Sequence, residues 1–268
     1  MTAFLRTVFI LNFIMISCVL YAQQPPGVPV VISVDPKLQA LHQQALDDRK
    51  TGDLLKSRDI YREMIIQYPQ ASDINDLQKE LWDLNLAIIA SPIETHQSEI
   101  YTIEPGDTLG KIARKFGTTI ELIKRRNHLE HSRIIAGHTL SVWLGAFSIV
   151  IDKSENTLTF KNGDEVVKIY PVSTGKNNSS PVGEFTIKDR YADPVWFHKG
   201  DVVAARDPKN FLGTRWLGFD LPKYGIHGTI EPERIGKQVS SGCIRMRNED
   251  VQELYDFVPI GTRVTITE

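Results

Sequence analysis

Between Asp35 and Ala90, apolar residues recur every three or four positions. Leu38, Leu41, Ala45 and Leu46 form one series; Leu55, Ile60, Tyr61, Met64 and Ile65 form a second; Leu77, Leu81, Leu84 and Ile88 form a third. That period puts each series on one helix face, so three helices are expected. Gly52 separates the first two and Pro69 ends the second. The pattern changes at Glu99. Ile100 and Thr102 alternate with Tyr101 and Ile103 as a short strand. After the Pro105-Gly106-Asp107 turn, Asp107 or Thr108 can cap a helix carrying Leu109, Ile112, Ala113 and Phe116 on one face. Gly117 stops it. Thr118 or Thr119 starts a second helix through Ile120, Leu122, Ile123 and Arg126, which Asn127 is expected to close in a left-handed conformation. Thr139 to Trp143 is a second strand. From Phe147 onward the period is two: Phe147, Ile149 and Ile151 alternate, and Asn162-Gly163 marks a hairpin into Val166–Tyr170. Phe185 with Ile187, and Val202 to Ala204, give more strands. One helix is expected at 248–257, with Asn248 as its cap and Val251, Leu254, Tyr255 and Val258 facing inward. Pro259 and Gly261 stop it, and Arg263–Thr267 is a closing strand. The reading is a multidomain α+β chain: a helical segment at 35–90, a βααβ unit at 99–144, and a mainly-β domain at 147–267. Residues 23–34 and 91–97 are linkers.

The first 22 residues follow a different rule. One basic residue, Arg6, precedes an apolar run from Val8 to Leu20, and a proline-rich stretch follows. This run is short of the ~20 apolar residues that span a bilayer. It reads as a secretory signal peptide cleaved after Ala22. A second reading takes Met15-Ile16-Ser17-Cys18 as a lipoprotein signal with a lipid anchor at Cys18. Either way the protein is exported, to a periplasmic or cell-wall location. Cys18 and Cys243 are the only cysteines. Cleavage after Ala22 leaves Cys243 unable to form an intrachain disulfide in an oxidising compartment.

Composition narrows the partners. A formal net charge of −2 over 268 residues speaks against a nucleic-acid partner. The seven histidines are dispersed, so no metal site and no cofactor is expected. Oligomeric state is not specified.

Two short stretches carry candidate chemistry: Gly225-Ile226-His227-Gly228-Thr229, and Ser240-Ser241-Gly242-Cys243-Ile244-Arg245-Met246. A thiol is mostly protonated at neutral pH. A nearby imidazole can take its proton or pair with the thiolate. The imidazole needs a third group to orient it. Backbone N–H groups in a glycine-containing turn can stabilise an acyl-transfer oxyanion. A Cys–His pair alone is weak evidence, and a buried structural cysteine is the bland alternative.

The surrounding sequence is more specific. Over Tyr101 to Val142, the residues Tyr101, Pro105-Gly106-Asp107-Thr108-Leu109, Ile112-Ala113, Phe116-Gly117, Leu122, Asn127 and Ile135-Ala136-Gly137 resemble the LysM domain. That resemblance implies binding of N-acetylglucosamine-containing glycans, with contacts at Gly106, Asp107, Thr108, Ile135 and Ala136. The basic residues Lys111, Arg114, Lys115, Lys124, Arg125 and Arg126 read as solvated helix faces. Gly52, Arg58, Tyr61 and Tyr68-Pro69 resemble one tetratricopeptide (TPR-like) unit; a plain three-helix segment is the alternative. Residues 147–267, with PVSTGKNNSSPVGEFTI, DPVW and the run from LGFDLPKYGIHGT to SSGCIRM, resemble the L,D-transpeptidase (YkuD-like) catalytic domain.

This second resemblance implies an enzyme acting on peptidoglycan stem peptides. Cys243 would be the nucleophile, His227 the base, and the Gly228 carbonyl the acceptor that orients His227. The Gly242 and Cys243 amides would serve the oxyanion. Arg245 would either bind a substrate carboxylate or form an ion pair. Ser240 and Ser241 are read as turn hydrogen-bonders and Tyr224 and Trp216 as candidate pocket walls, with a core role the favoured one for Trp216. Many relatives carry a histidine where this chain has Ser241. The implied product is a 3→3 cross-link. Hydrolysis by the same nucleophile, attachment of another molecule to the wall, and a non-catalytic wall-binding protein are the alternatives.

Overall fold

The computed structural model describes residues 35–198 and 200–268. Residues 1–22, expected to be a signal peptide, and the candidate anchor Cys18 lie outside them. Among the described residues no helix is long and apolar enough to cross a membrane.

Three helices open the described chain: α1 (Pro36–Thr51), α2 (Leu54–Gln67) and α3 (Ile74–Ala90). The Asp35 and Asp53 carboxylates accept backbone N–H groups at the starts of α1 and α2, satisfying donors that have no partner inside the helix. Gly52, at φ 89°, closes α1 in the left-handed conformation. Leu38, Ala45, Ile60, Tyr61, Met64, Leu77 and Leu84 form their common core.

The next unit has the expected strand–helix–helix–strand order: β1 (Ser98–Thr102), α4 (Leu109–Phe116), α5 (Ile120–Arg126) and β2 (Thr139–Trp143). β1 and β2 pair antiparallel, from Ser98 opposite Trp143 to Thr102 opposite Thr139. Thr108, not Asp107, caps α4 through the Lys111 amide. Asp107 is engaged elsewhere, accepting the Tyr101 hydroxyl at 2.8 Å and the Glu104 N–H at 3.0 Å. The expected left-handed closure at Asn127 is corrected: its φ is −112°, and His128 is the residue at positive φ. Asn127 uses its side chain instead. Its amide donates to the Ile123 and Ser141 carbonyls and accepts the Ser141 N–H, within 2.7–2.8 Å. Those bonds tie α5 to β2 and fix the backbone at Asn127.

Two of the basic residues expected on solvated faces bridge to other segments of the chain instead. Arg126 is fully buried. Its guanidinium donates to the Ile89 carbonyl at 2.6 Å, to Ile93 at 3.3 Å and to Ser141 Oγ at 2.8 Å, with Ile88 at 3.5 Å. It therefore satisfies carbonyls at the C-terminal end of α3, where a cation is favoured. Arg125 pairs with Asp256 at 2.6 Å. The Thr119 hydroxyl donates to the Asp256 carbonyl, and Glu121 pairs with Arg190 at 3.4 Å. Leu86, Ile89, Leu122 and Trp143 share a core with the C-terminal domain. The three segments are thus packed as one body.

In that domain, an eight-stranded sheet carries the structure. Its strands are β3 (Phe147–Asp152), β4 (Thr157–Asn162), β5 (Glu165–Pro171), β7 (Gly183–Ala192), β10 (Arg215–Phe219), β11 (Gly225–His227), β13 (Ile244–Arg245) and β14 (Arg263–Thr267), in the order β13-β11-β10-β7-β14-β3-β4-β5. Alternating burial along β3 follows the Phe147/Ile149/Ile151 pattern. Gly163, at φ 57°, turns β4 into β5. Two small ribbons flank the sheet: β6 (Thr174–Gly175) with β12 (Gln238–Ser240), and β8 (Trp196–His198) with β9 (Asp201–Val203). Helix α6 (Asn248–Phe257) buries Val251, Leu254, Tyr255 and Phe257. Its cap is Arg247, not Asn248. The Asn248 side chain accepts the Thr214 N–H at 3.1 Å and donates to the Thr229 carbonyl at 2.8 Å. It is spent on joining two loops rather than on starting the helix.

Candidate active site

The sheet end formed by β10, β11 and β13 borders an open cleft of about 1020 Å³. His227, Cys243, Ser240, Ser241, Arg245, Tyr224 and Trp216 all line it, together with Trp196, Phe197 and Phe211. The two sequence stretches meet because β11 pairs in parallel with β13: Ile226 lies opposite Ile244 and His227 opposite Arg245. That pairing brings His227 and the turn holding Cys243 to one edge of the sheet.

His227 is 4% exposed. Its Nδ1 meets the Gly228 carbonyl at 2.6 Å. A carbonyl only accepts, so Nδ1 carries the proton and Nε2 is left as the basic nitrogen. Burial pulls the imidazole down to about 4; the Arg245 charge adds to this, and backbone hydrogen bonding at Gly228 and Phe211 opposes it. Burial also pushes the Cys243 thiol above its ordinary value, opposed by the Gly225 backbone and Arg245. The thiol donates to the Lys223 carbonyl at 3.3 Å. At neutral pH the resting pair is therefore a thiol and a neutral imidazole, not a thiolate and an imidazolium.

The turn around Cys243 is held from inside. Ser240 Oγ donates to the Cys243 carbonyl at 2.6 Å and accepts the Gly242 N–H at 3.0 Å. Ser180 Oγ donates to the Gly242 carbonyl and accepts the Gly175 N–H, at 2.9 and 2.8 Å. This corrects the expected oxyanion pair: the Gly242 amide is taken by Ser240, which leaves the Cys243 amide as the candidate donor. Ser240 is the turn hydrogen-bonder expected of it. Ser241 is exposed on the cleft wall. Gly242 sits at φ +127°, and a Cβ there would approach Tyr224 Cε1 to 2.7 Å. Glycine is required here by backbone conformation and by the Tyr224 ring. Gly242→Ala is expected to lose about 1–3 kcal/mol of stability and to lower the rate of Cys243 labelling by an electrophile. Thermal melting and thiol mass labelling test this; a variant matching the parent in both would refute the steric account.

Arg245 pairs with Glu231 at 3.1 Å and lies 5.9 Å from the Phe211 ring centroid. Of its two readings, the ion pair is present. Glu231 also binds Arg234 at 2.9 Å. Of the two readings of Trp216, the pocket wall is the one present: it lines the cleft, partly exposed, and the favoured core role is corrected. Sequence reasoning missed Glu231, Asp189 and Asn248. Gly213 and Gly228 were the available signal for Asn248: a Cβ at either would meet its Oδ1 at 2.2 Å.

The glycan-site candidates lie on two adjoining loops. The Gly137 N–H donates to the Ile103 carbonyl, and the Ile103 N–H to the His138 carbonyl, both at 2.8 Å. These bonds set 134–138 beside 104–108. Ile135 is 58% exposed, and Ala136 and Gly106 are exposed with it. Asp107 and Thr108 spend their side chains on the fold, as described. Hydrogen bonds from the Glu104 amide and the Tyr101 hydroxyl hold the Asp107 carboxyl below its usual range.

Residues 146–266 match the L,D-transpeptidase catalytic domain (YkuD), and residues 101–143 match the LysM domain. The chain is similar to the putative L,D-transpeptidase YkuD of Bacillus subtilis: 36% identity over 173 residues, covering 62% of this chain and 97% of that one. It is 40% identical over 126 residues to the putative L,D-transpeptidase YqjB of the same organism, covering 45% of this chain and 70% of the other. It is also 56% identical over 136 residues to the probable L,D-transpeptidase ErfK/SrfK of Escherichia coli, covering 45% of this chain and 44% of that protein.

Proposed function

The chain belongs to the L,D-transpeptidase family and is a cell-wall-targeted transpeptidase; from that premise we propose that Cys243 and His227 carry its chemistry. The observation that supports this most is the meeting of both residues in one cleft, with His227 Nδ1 fixed on Gly228.

Cys243 attacks the carbonyl of the third residue of a peptidoglycan tetrapeptide stem. His227 Nε2 takes the thiol proton as the S–C bond forms. The Cys243 amide faces the oxyanion. Collapse breaks the bond to the terminal D-alanine, whose amine receives the proton from His227. An amine of a neighbouring stem then attacks the thioester and gives its proton to His227. Collapse of this second adduct makes the 3→3 amide and breaks the C–S bond, and the Cys243 sulfur takes back the proton held by His227. The exposed loops at 104–108 and 134–138 hold glycan strands through Gly106, Ile135 and Ala136. The helical segment, TPR-like in its hairpin, serves spacing or partner contact. Export by the N-terminal signal, or anchoring through Cys18, places the enzyme at the wall.

The test is incubation with disaccharide tetrapeptides and mass spectrometry of the products. Dimers that vanish in Cys243→Ala support transpeptidation. Tripeptide without dimer shows water as the acceptor. No acyl adduct and no turnover would leave a wall-binding protein.

The pH dependence follows from the resting state. A base acts only when neutral, so acylation falls off below the His227 value of about 4 and persists at pH 5–6. The raised thiol value moves any alkaline limb upward. Single-turnover acylation by a carbapenem, followed from pH 3.5 to 9, checks this. An acid limb near the ordinary histidine value of about 6.5 would contradict a buried neutral base.

A further inference from the structure

We propose that Trp216 and Asp189 form a positioning unit for His227: Asp189 fixes the indole, and the indole holds the imidazole in the orientation its bond to Gly228 requires. The inference rests on His227 acting as the base.

Trp216 on β10 and His227 on β11 are direct cross-strand partners, so their side chains emerge on the same sheet face. The rings lie 5.9 Å apart between centroids and 23° from parallel. One face of the imidazole is covered by indole. The indole is held at its polar edge, where Nε1 donates to Asp189 Oδ1 at 2.8 Å. Asp189 lies on β7 opposite Gly218 of β10.

Two glycines clear the space this arrangement occupies. A Cβ at Gly218 would lie 2.2 Å from Asp189 Oδ1 and 2.6 Å from Trp216 Nε1. A Cβ at Gly225 would lie 2.9 Å from Trp216 Cζ2. Both glycines leave room for one rotamer of one side chain. A residue that only walled the substrate cleft would need neither the hydrogen-bonded polar edge nor the ring stack. Hydrogen bonding at Nδ1 fixes one atom of the imidazole; the stack fixes its plane. Together they leave Nε2 little angular freedom.

The other titratable or charged groups around the ring are Arg245 on the neighbouring strand β13, the Cys243 thiol in the adjoining turn, and Lys223, Tyr224, Tyr191 and Asp193 on the same cleft. None of these is altered in the following test.

The full chain is compared with Asp189→Leu, Asp189→Asn, Trp216→Phe, Trp216→Ala and His227→Gln by carbapenem acylation across pH and by kcat and KM on tetrapeptide, with melting curves as a fold check. Asp189→Leu is expected to lower kcat roughly tenfold through misplacement of the base, with KM little changed. Asp189→Asn keeps an oxygen acceptor and recovers most of that loss. Trp216→Phe keeps a ring but loses the N–H donor, and falls between the two. Trp216→Ala opens the imidazole face to water, so the acid limb of the acylation profile moves up toward the ordinary histidine value of about 6.5. Wild-type kcat and pH profile in Asp189→Leu and Trp216→Phe would overturn the positioning role. So would a rise in KM alone, which would make Trp216 a substrate wall. An unimpaired His227→Gln is a separate outcome that would remove His227 as the base.

Discussion

Replacing His227 with glutamine is expected to slow acylation of Cys243 by about 10²–10⁴-fold, the usual range for loss of a general base. The size follows from the resting state. If the thiol were already a thiolate paired with an imidazolium, the imidazole would mainly stabilise a charge that solvent could partly stabilise too. Here burial disfavours both charged forms. The proton must therefore move during attack, and His227, whose Nδ1 is held by Gly228 on the same cleft, is the base proposed to take it. Glutamine keeps polarity and approximate size but cannot accept a proton at that position. Cys243→Ala should abolish the covalent adduct altogether. The measurement is single-turnover labelling by a carbapenem at pH 7, read by intact mass. A His227→Gln protein that labels within a few fold of wild type would show that the thiolate forms without it.

The same two residues show what the chain discloses as a string. His227 and Cys243 are sixteen positions apart, each inside a short, glycine-bearing stretch, and the parallel β11/β13 pairing that joins them places His227 opposite Arg245. Local signals of this kind were readable: the alternation along β3, Gly117 closing α4, Gly163 turning a hairpin. Each depends on residues within a few positions of one another. Roles that depend on a distant partner were not. Asp189 looks like one acidic residue in an exposed strand until Trp216, twenty-seven positions on, donates to it. The Gly242 amide looked free for an oxyanion until Ser240 Oγ was seen to hold it. Asn127 and Asn248 were read as helix-end residues from type and place. Both spend their side chains across the fold, on Ser141 in one case and on Thr214 and Thr229 in the other.

Arg126 is the extreme case, because an arginine at the end of an amphipathic helix reads as solvated and this one has no exposed surface. Arg126→Met is expected to destabilise the protein by about 3–5 kcal/mol, lowering its melting temperature on the order of 10 °C. Replacing a buried ion pair by apolar side chains is often neutral, since both desolvated charges disappear together. The partners here are different. The guanidinium faces the Ile88, Ile89 and Ile93 carbonyls and the Ser141 hydroxyl. The Ile88 carbonyl keeps its bonds from the Ser91 N–H and hydroxyl, but the Ile89 and Ile93 carbonyls lose this donor, at about 1–3 kcal/mol for each left unsatisfied. Methionine fills much of the volume, so the loss reports hydrogen bonding more than a cavity. Burial draws Arg126 down only to about 10, so it stays charged through the neutral range. Arg126→Lys should recover little, because one ammonium cannot span acceptors on α3, the following linker and β2. The site joins the helical segment to the LysM domain, and α5 carries its Thr119, Glu121 and Arg125 contacts onward to the catalytic domain. Calorimetry of Arg126→Met should therefore show a broadened or split transition where the parent melts as one. An unchanged single transition at the parent temperature would mean that the three segments are held together without it.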